Sequence, residues 1–210
     1  MSTDKYSFDI LEINQMLLDG GKEIIGKAGL QAVINIAQVS SLQVHEEETT
    51  VSKPLTASDW GALRAALEAL FGFRGAYGAA TRIGQVFFRE YFRTYGLQIG
   101  MMDRNFRMQP KPKKIRSGLE ILAEVSAHLW SGFHVDVIDD AENWFWQLQD
   151  CSWCKEDPGN QSILICFIKG VLGEFLTWVS GGKYYPIREV DKAGDDFSTS
   201  VIQIRKKYLG

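Results

Sequence analysis

From Phe8 to Val39 the apolar residues recur at helical spacing, through Ile10, Ile13, Leu17, Ile24, Ile25, Ala28, Val33, Ile36 and Ala37. This period predicts amphipathic helix, divided in two at Gly20-Gly21 because paired glycines make poor helix interior. The polar, acidic stretch Ser40–Ser58, with Glu46-Glu47-Glu48 and Pro54, reads as a surface loop. Ser58 or Asp59 then caps a helix through Leu63, Leu67 and Leu70. A passage of small residues, Gly72, Gly75, Gly78, Ala79 and Ala80, feeds a long helix through Ile83, Val86, Phe87, Tyr91 and Tyr95, ended by Gly96. Small side chains let another element come close. This passage is therefore expected to be a tight packing seam, or the place where a dimer partner or ligand approaches.

Leu97–Arg116, with Pro110 and Pro112, reads as a connection, and Ser117 starts an amphipathic helix through Leu119, Leu122, Val125 and Leu129 that stops at Gly132. The period then changes to two. Phe133, Val135 and Val137 alternate with polar residues, Asp139-Asp140 turns the chain, and Trp144, Trp146 and Leu148 alternate again, which predicts a hairpin. After a loop at Cys151–Asn160 comes an apolar helix, Ile163–Val179, closed by Gly181-Gly182. Two more strand-like runs follow, Tyr184–Val190 and Phe197–Ile204, turned at Ala193-Gly194-Asp195-Asp196. Hairpin, helix, hairpin predicts an α+β fold: an antiparallel four-stranded sheet packed with about five to six helices. At 210 residues the chain suits a single domain, with a helical half at 1–116 and an α+β half at 117–210.

Composition narrows the function. The chain is 45% hydrophobic and 23% charged, the balance of a folded domain rather than a disordered one. A net charge of −3 argues against a nucleic-acid partner, which asks for a basic face. The one basic run, Lys111–Arg116, has no interleaved aromatics and reads as solvated linker. No segment reaches the roughly 18 consecutive apolar residues of a membrane span. The polar N-terminus is not a signal peptide, and three cysteines make no disulfide framework. These features together point to a cytoplasmic protein.

Candidate chemistry is sparse. Cys151-Ser152-Trp153-Cys154 has half-site spacing for zinc and Cys166 lies nearby, yet a structural site needs four ligands, so no metal is expected at Cys151, Cys154 and Cys166. Redox work at the same pair is opposed by Pro158-Gly159, which separates it from the next helix. His128 and His134 flank a helix–strand junction and can donate to a ligand; neither belongs to a visible Ser-His-Asp set or nucleophile elbow. Gly72-x-x-Gly75-x-x-Gly78 follows a helix, not a strand, so it is no dinucleotide loop. The chain therefore leans away from enzymes, and no cofactor is expected. The aromatic residues are the better lead. Phe87, Phe88 and Tyr91 lie on one helix, Trp130 ends another, Trp144 and Trp146 share a strand face, and Phe175 and Trp178 lie on the last helix. Each alone suits a core. Together with His134 they can line a cavity, with Arg82 as an anchor for a carboxylate or as the partner of an acid.

One set of motifs is familiar. Cys166-Phe167-Ile168-Lys169-Gly170-Val171-Leu172-Gly173 opens an apolar, glycine-containing helix; Gly182-Lys183-Tyr184-Tyr185-Pro186-Ile187-Arg188-Glu189 follows, and the last turn is Gly194-Asp195-Asp196-Phe197. In this order they resemble the 4-vinyl-reductase (hydrocarbon-binding) domain family, related to transport-protein-particle subunits and more remotely to haem-based nitric-oxide sensors. The resemblance covers the C-terminal part of the chain well and the first half in outline. It implies a cavity between helices and sheet for a small apolar or aromatic molecule, and a homodimer. Metal-binding members carry cysteines where this chain has Cys166, Val190 and Ser198; two of those three are not cysteine here, which implies that the zinc site is absent. The expected function is a stand-alone small-molecule binder, sensor or carrier. The alternatives are a non-enzymatic scaffold of the transport-particle type and an accessory protein of tetrapyrrole (bacteriochlorophyll-type) metabolism.

Overall fold

The structure, a computed structural model, describes residues 6–44, 49–129, 134–149, 163–190 and 200–208. Helix α1 (Ile10–Ala37) begins at Asp9, whose carboxylate accepts from the backbone N–H of Leu11 at 2.9 Å and of Glu12 at 3.2 Å. The expected break at Gly20-Gly21 is absent. The helix runs through both glycines and breaks at Gly26 instead, where φ is 74° and ψ 164°. The pair is tolerated because tertiary packing uses it: a Cβ at Gly20 would stand 3.5 Å from Ile83, so the two helices touch there.

The stretch read as a surface loop holds a two-stranded antiparallel ladder, β1 (Leu42–Val44) with β2 (Thr49–Val51). Three residues per strand are too few to show a period of two. The ladder is also held from outside: the Gln15 side chain on α1 donates to Thr49 O at 3.1 Å and accepts from Val51 N at 3.2 Å.

Helix α2 (Ala57–Tyr95) is capped two or three residues earlier than expected, at Thr56, which forms a capping box with Asp59. Thr56→Ala should lower stability by about 1 kcal/mol. An unchanged urea midpoint would show that Asp59 caps alone. The helix kinks at Gly72, with φ 67°, a backbone conformation that other residues adopt only under strain. The small-residue passage is not the tightest seam. Ala76, Ala79 and Ala80 are buried, but a Cβ at Gly78 would meet nothing within 4 Å; the closest approach lies further on, at Gly84.

Leu97–Arg116 is not all connection. A short helix, α3 (Arg104–Arg107), is followed by α4 (Lys111–Leu129), which starts six residues before Ser117. Pro112 falls in its first turn, where a missing N–H costs nothing. The basic run is therefore the start of a helix, and the 116/117 boundary falls inside α4. Arg116 uses the position: it pairs with Glu120, donates to Val137 O at 2.7 Å and bonds Asp139, fastening α4 to the sheet.

The four-stranded sheet is antiparallel in the order β3-β4-β6-β5, from β3 (His134–Asp139), β4 (Asn143–Gln149), β5 (Ile187–Val190) and β6 (Ser200–Arg205). Asp140 makes the first turn by accepting from the backbone N–H of Glu142 and Asn143, and those donors hold its carboxyl below the ordinary carboxylate range. Helix α5 (Ile163–Ser180) connects the two hairpins. The protein is thus a single α+β domain with five helices among the described residues. One core joins the layers: Phe88, Leu119, Leu172, Phe175, Ile202 and Ile204 are all buried in it. By length and composition α5 is apolar enough to cross a membrane, although charged and polar residues interrupt its apolar run; half of it is buried here against α2 and the rest of the core.

Candidate functional site

The aromatic residues do not form one lining. Phe88, Phe92, Phe106, Phe175 and Trp178 make one cluster, with Phe92 and Trp178 ring centroids 4.2 Å apart. Trp144 packs with Tyr185, beneath the Lys206 ammonium. Trp146 is buried on the same strand face, in register with Val137 and Ile202. Arg82 is exposed, and His134 is exposed on β3 and bonded to Asp136 at 3.1 Å. Cys166 is buried, and burial pushes its thiol up, as suits a small apolar core residue. Trp130, Cys151 and Cys154 lie outside the described residues.

The third cluster holds Phe87 and Tyr91 and gathers partners that the aromatic set did not include. The segment before α1 runs between the C-terminal half of α2 and the last turn of α4. Phe8 is boxed there by Tyr6 and Tyr95, each at 5.2 Å between centroids, His128 at 5.6 Å and Tyr91 at 5.9 Å. Phe87 stacks on Tyr91 from the other side. The spacing Phe87, Tyr91, Tyr95 sets three rings on one face of α2, and Asp9 positions Tyr6 and Phe8 by fixing where α1 begins.

The polar groups of this seam are arranged around Tyr91. The Tyr6 hydroxyl donates to Glu124 at 3.0 Å, and the Tyr95 hydroxyl donates to Glu12. Burial, then the bond to Glu12, pushes the Tyr95 phenol up to about 12. Tyr91 is 2% exposed and its hydroxyl has no partner. Burial pushes its phenol far above the ordinary value, and the neighbouring phenols of Tyr6 and Tyr95 add to the shift. It is therefore a neutral hydroxyl with both its proton and its lone pairs unused. A buried polar group in that state calls for an explanation, and an absent ligand or water is the usual one. The Trp146 Nε1 and Asn14 Nδ2 atoms are also buried without partners; Tyr91 differs in having two phenol–carboxylate pairs beside it.

The sequence carried two local signals for this seam: the Phe-x-x-x-Tyr-x-x-x-Tyr stripe, and a Tyr-x-Phe alternation just ahead of an Asp cap. Neither says that the two meet. Among the described residues, no group of three or more His, Cys, Asp or Glu is placed to hold a metal ion.

No family model matches the sequence, and no curated protein matches it. Solved structures do match, and H-NOX domains are among them. One, from work on haem distortion in the H-NOX family, has a TM-score of 0.64 at 8% identity, covering 96% of this chain and 97% of the other. A second is an oxygen-binding H-NOX domain related to soluble guanylate cyclases, with a TM-score of 0.58 at 9% identity and 96% coverage of both chains. A mutant of the unliganded Fe(II) H-NOX protein from K. algicida has a TM-score of 0.57 at 15% identity, covering 93% and 95%. At these identities the likeness is one of fold.

Proposed function

We propose that this chain is a small-molecule-binding domain, sensor or carrier, whose apolar or aromatic ligand enters the seam between α2 and α4 and takes the place of the Phe8 ring. The observation that carries this is the Tyr91 hydroxyl, buried and unpartnered against an apolar ring. Phe8 fills the space but leaves that hydroxyl unsatisfied, at a cost of about 1–3 kcal/mol. A ligand that offers an acceptor or donor there recovers it. The fold shared with ligand-sensing H-NOX domains supports the reading, and the relation to 4-vinyl-reductase domains, with their apolar cavity and dimer, belongs to the same proposal.

The neighbours' descriptions name haem. The residues of this seam do not fit it. Haem carries two propionates and takes an axial donor; here the rim presents two carboxylates, Glu12 and Glu124, which would face those propionates with like charge. Among the described histidines, His134 is 64% exposed and bonded to Asp136.

A native mass spectrum of freshly purified protein tests the reading. A bound molecule of a few hundred daltons, drug-sized, should be lost on denaturation, and Tyr91→Phe should retain less of it. The same substitution should stabilise the ligand-free chain by up to about 1 kcal/mol, because it removes a buried, unpartnered hydroxyl. A Tyr91→Phe protein that is less stable and binds unchanged would show that the Tyr91 hydroxyl does not meet a ligand. A scaffold role is favoured by one observation, the exposed Leu70, Phe71 and Phe73 at the α2 kink; a bare native mass together with partner-dependent burial of those residues would support it.

A further inference from the structure

We propose that the ligand of the α2–α4 seam bears an alkylated ammonium group, which sits where the Phe8 ring now stands. This rests on reading the seam as a ligand site. Four rings surround Phe8 at 5.2 to 5.9 Å between centroids. A box of aromatic rings about an occupant of phenyl size is also the geometry that holds a quaternary ammonium, since a cation within about 6 Å of a ring centroid is attracted by the ring's quadrupole. A phenyl ring gains none of that charge attraction.

Two carboxylates set the sign. Glu124 accepts from Tyr6, and Glu12 accepts from Tyr95, so each makes its phenol ring more electron-rich and adds negative charge at the rim. The partners shown for these two phenols are both carboxylates. The second, independent sign of a ligand is Tyr91: its hydroxyl, beside the other two phenols, is buried with lone pairs unused. An anion would meet two carboxylates. A neutral ring would match the shape and leave the charge unanswered.

The full chain should be titrated by calorimetry with choline and with 3,3-dimethylbutan-1-ol, its uncharged isostere. Choline should bind at least about tenfold tighter, the scale of a cation–ring interaction. Glu12 and Glu124 are both exposed, so Glu12→Gln/Glu124→Gln should fold normally, lose about tenfold in choline affinity and leave the alcohol unchanged. Phe8→Ala should tighten choline, because it removes the ring that competes for the box. Equal binding of the two probes, or choline binding indifferent to the double substitution, overturns the assignment and leaves the seam as a site for neutral ligands. If neither probe binds but the native mass excess is present and Tyr91-dependent, the charge assignment alone fails. If neither binds and there is no excess mass, the site fails with it.

Discussion

Gly170→Ala is expected to cost about 2 kcal/mol or more, and Gly170→Val to prevent folding. A Cβ at Gly170 would lie 2.0 Å from the carbonyl oxygen of Thr81 and 2.9 Å from its carbon. The contact is reciprocal: a Cβ at Gly84 would lie 2.2 Å from Phe167 O and 3.1 Å from Val171 N. The backbones of α2 and α5 therefore touch at two glycines, and a side chain there meets peptide groups rather than a movable side-chain end. Only separation of the helices relieves it, and that pulls apart the rings of Phe87 and Phe167, now 5.4 Å between centroids. Alanine's better helix propensity returns about 1 kcal/mol, less than the roughly 1–3 kcal/mol or more of overpacking. Gly78→Ala, on α2 with nothing within 4 Å, is the control and should stabilise by up to about 1 kcal/mol. Urea unfolding reads all three. A Gly170→Ala protein as stable as the parent would mean that the helices do not cross at that distance.

The second large effect is at the contact between α4 and α5. Phe175 is fully buried, and its ring lies on the backbone of Gly118: a Cβ there would stand 2.3 Å from Cζ and 2.6 Å from Cε2. Phe175→Ala should cost about 3–5 kcal/mol, as large-to-small changes in a core do. Gly118→Ala alone should cost about 1–3 kcal/mol by forcing the ring into Phe88 and Phe106. Because both changes act on one space, Gly118→Ala with Phe175→Ala should cost less than the sum of the singles, by about 0.5–3 kcal/mol. Additive costs would show that Phe175 does not sit on α4.

The two substitutions probe packing that had no sequence signature. Gly84 and Gly170 lie 86 residues apart, each an ordinary glycine in an apolar helix, whereas the eye-catching Gly72, Gly75 and Gly78 mark a kink and an open face. Glycine in a helix signals only that a side chain is missing. What uses the space is decided by the neighbour, and the neighbour is remote in sequence. Gly20-Gly21 stays helical for the same reason, since α2 packs on α1 where propensity alone favours a break.

The candidate site was legible in fragments. Phe87 and Tyr91 stood in the aromatic set, and His128 was noticed at a helix–strand junction. Phe8 and Tyr95 read only as part of helical patterns and Tyr6 carries no signal of its own, while Trp144, Phe175 and Trp178 belong to other clusters. Period and burial identify an aromatic side chain as inward-facing without saying which inward space it faces. The rims, Glu12 and Glu124, are two acids among twenty-six until Tyr95 and Tyr6 are placed beside them.

By itself the sequence determined what depends on neighbours along the chain: helices of period 3.6, the alternating strands at 134–149, the Asp140 turn, and the hairpin–helix–hairpin order that makes an antiparallel sheet with helices. These are set by hydrogen bonds and side-chain faces within a few residues. Tertiary structure alone decided the short β1–β2 ladder, the helical start at Lys111, the backbone contact of α2 with α5 and the convergence of Tyr6, Phe8, Tyr91 and Tyr95. Each depends on contacts between distant segments, whose geometry is settled only when the whole core closes and every buried polar group has to find, or lack, a partner.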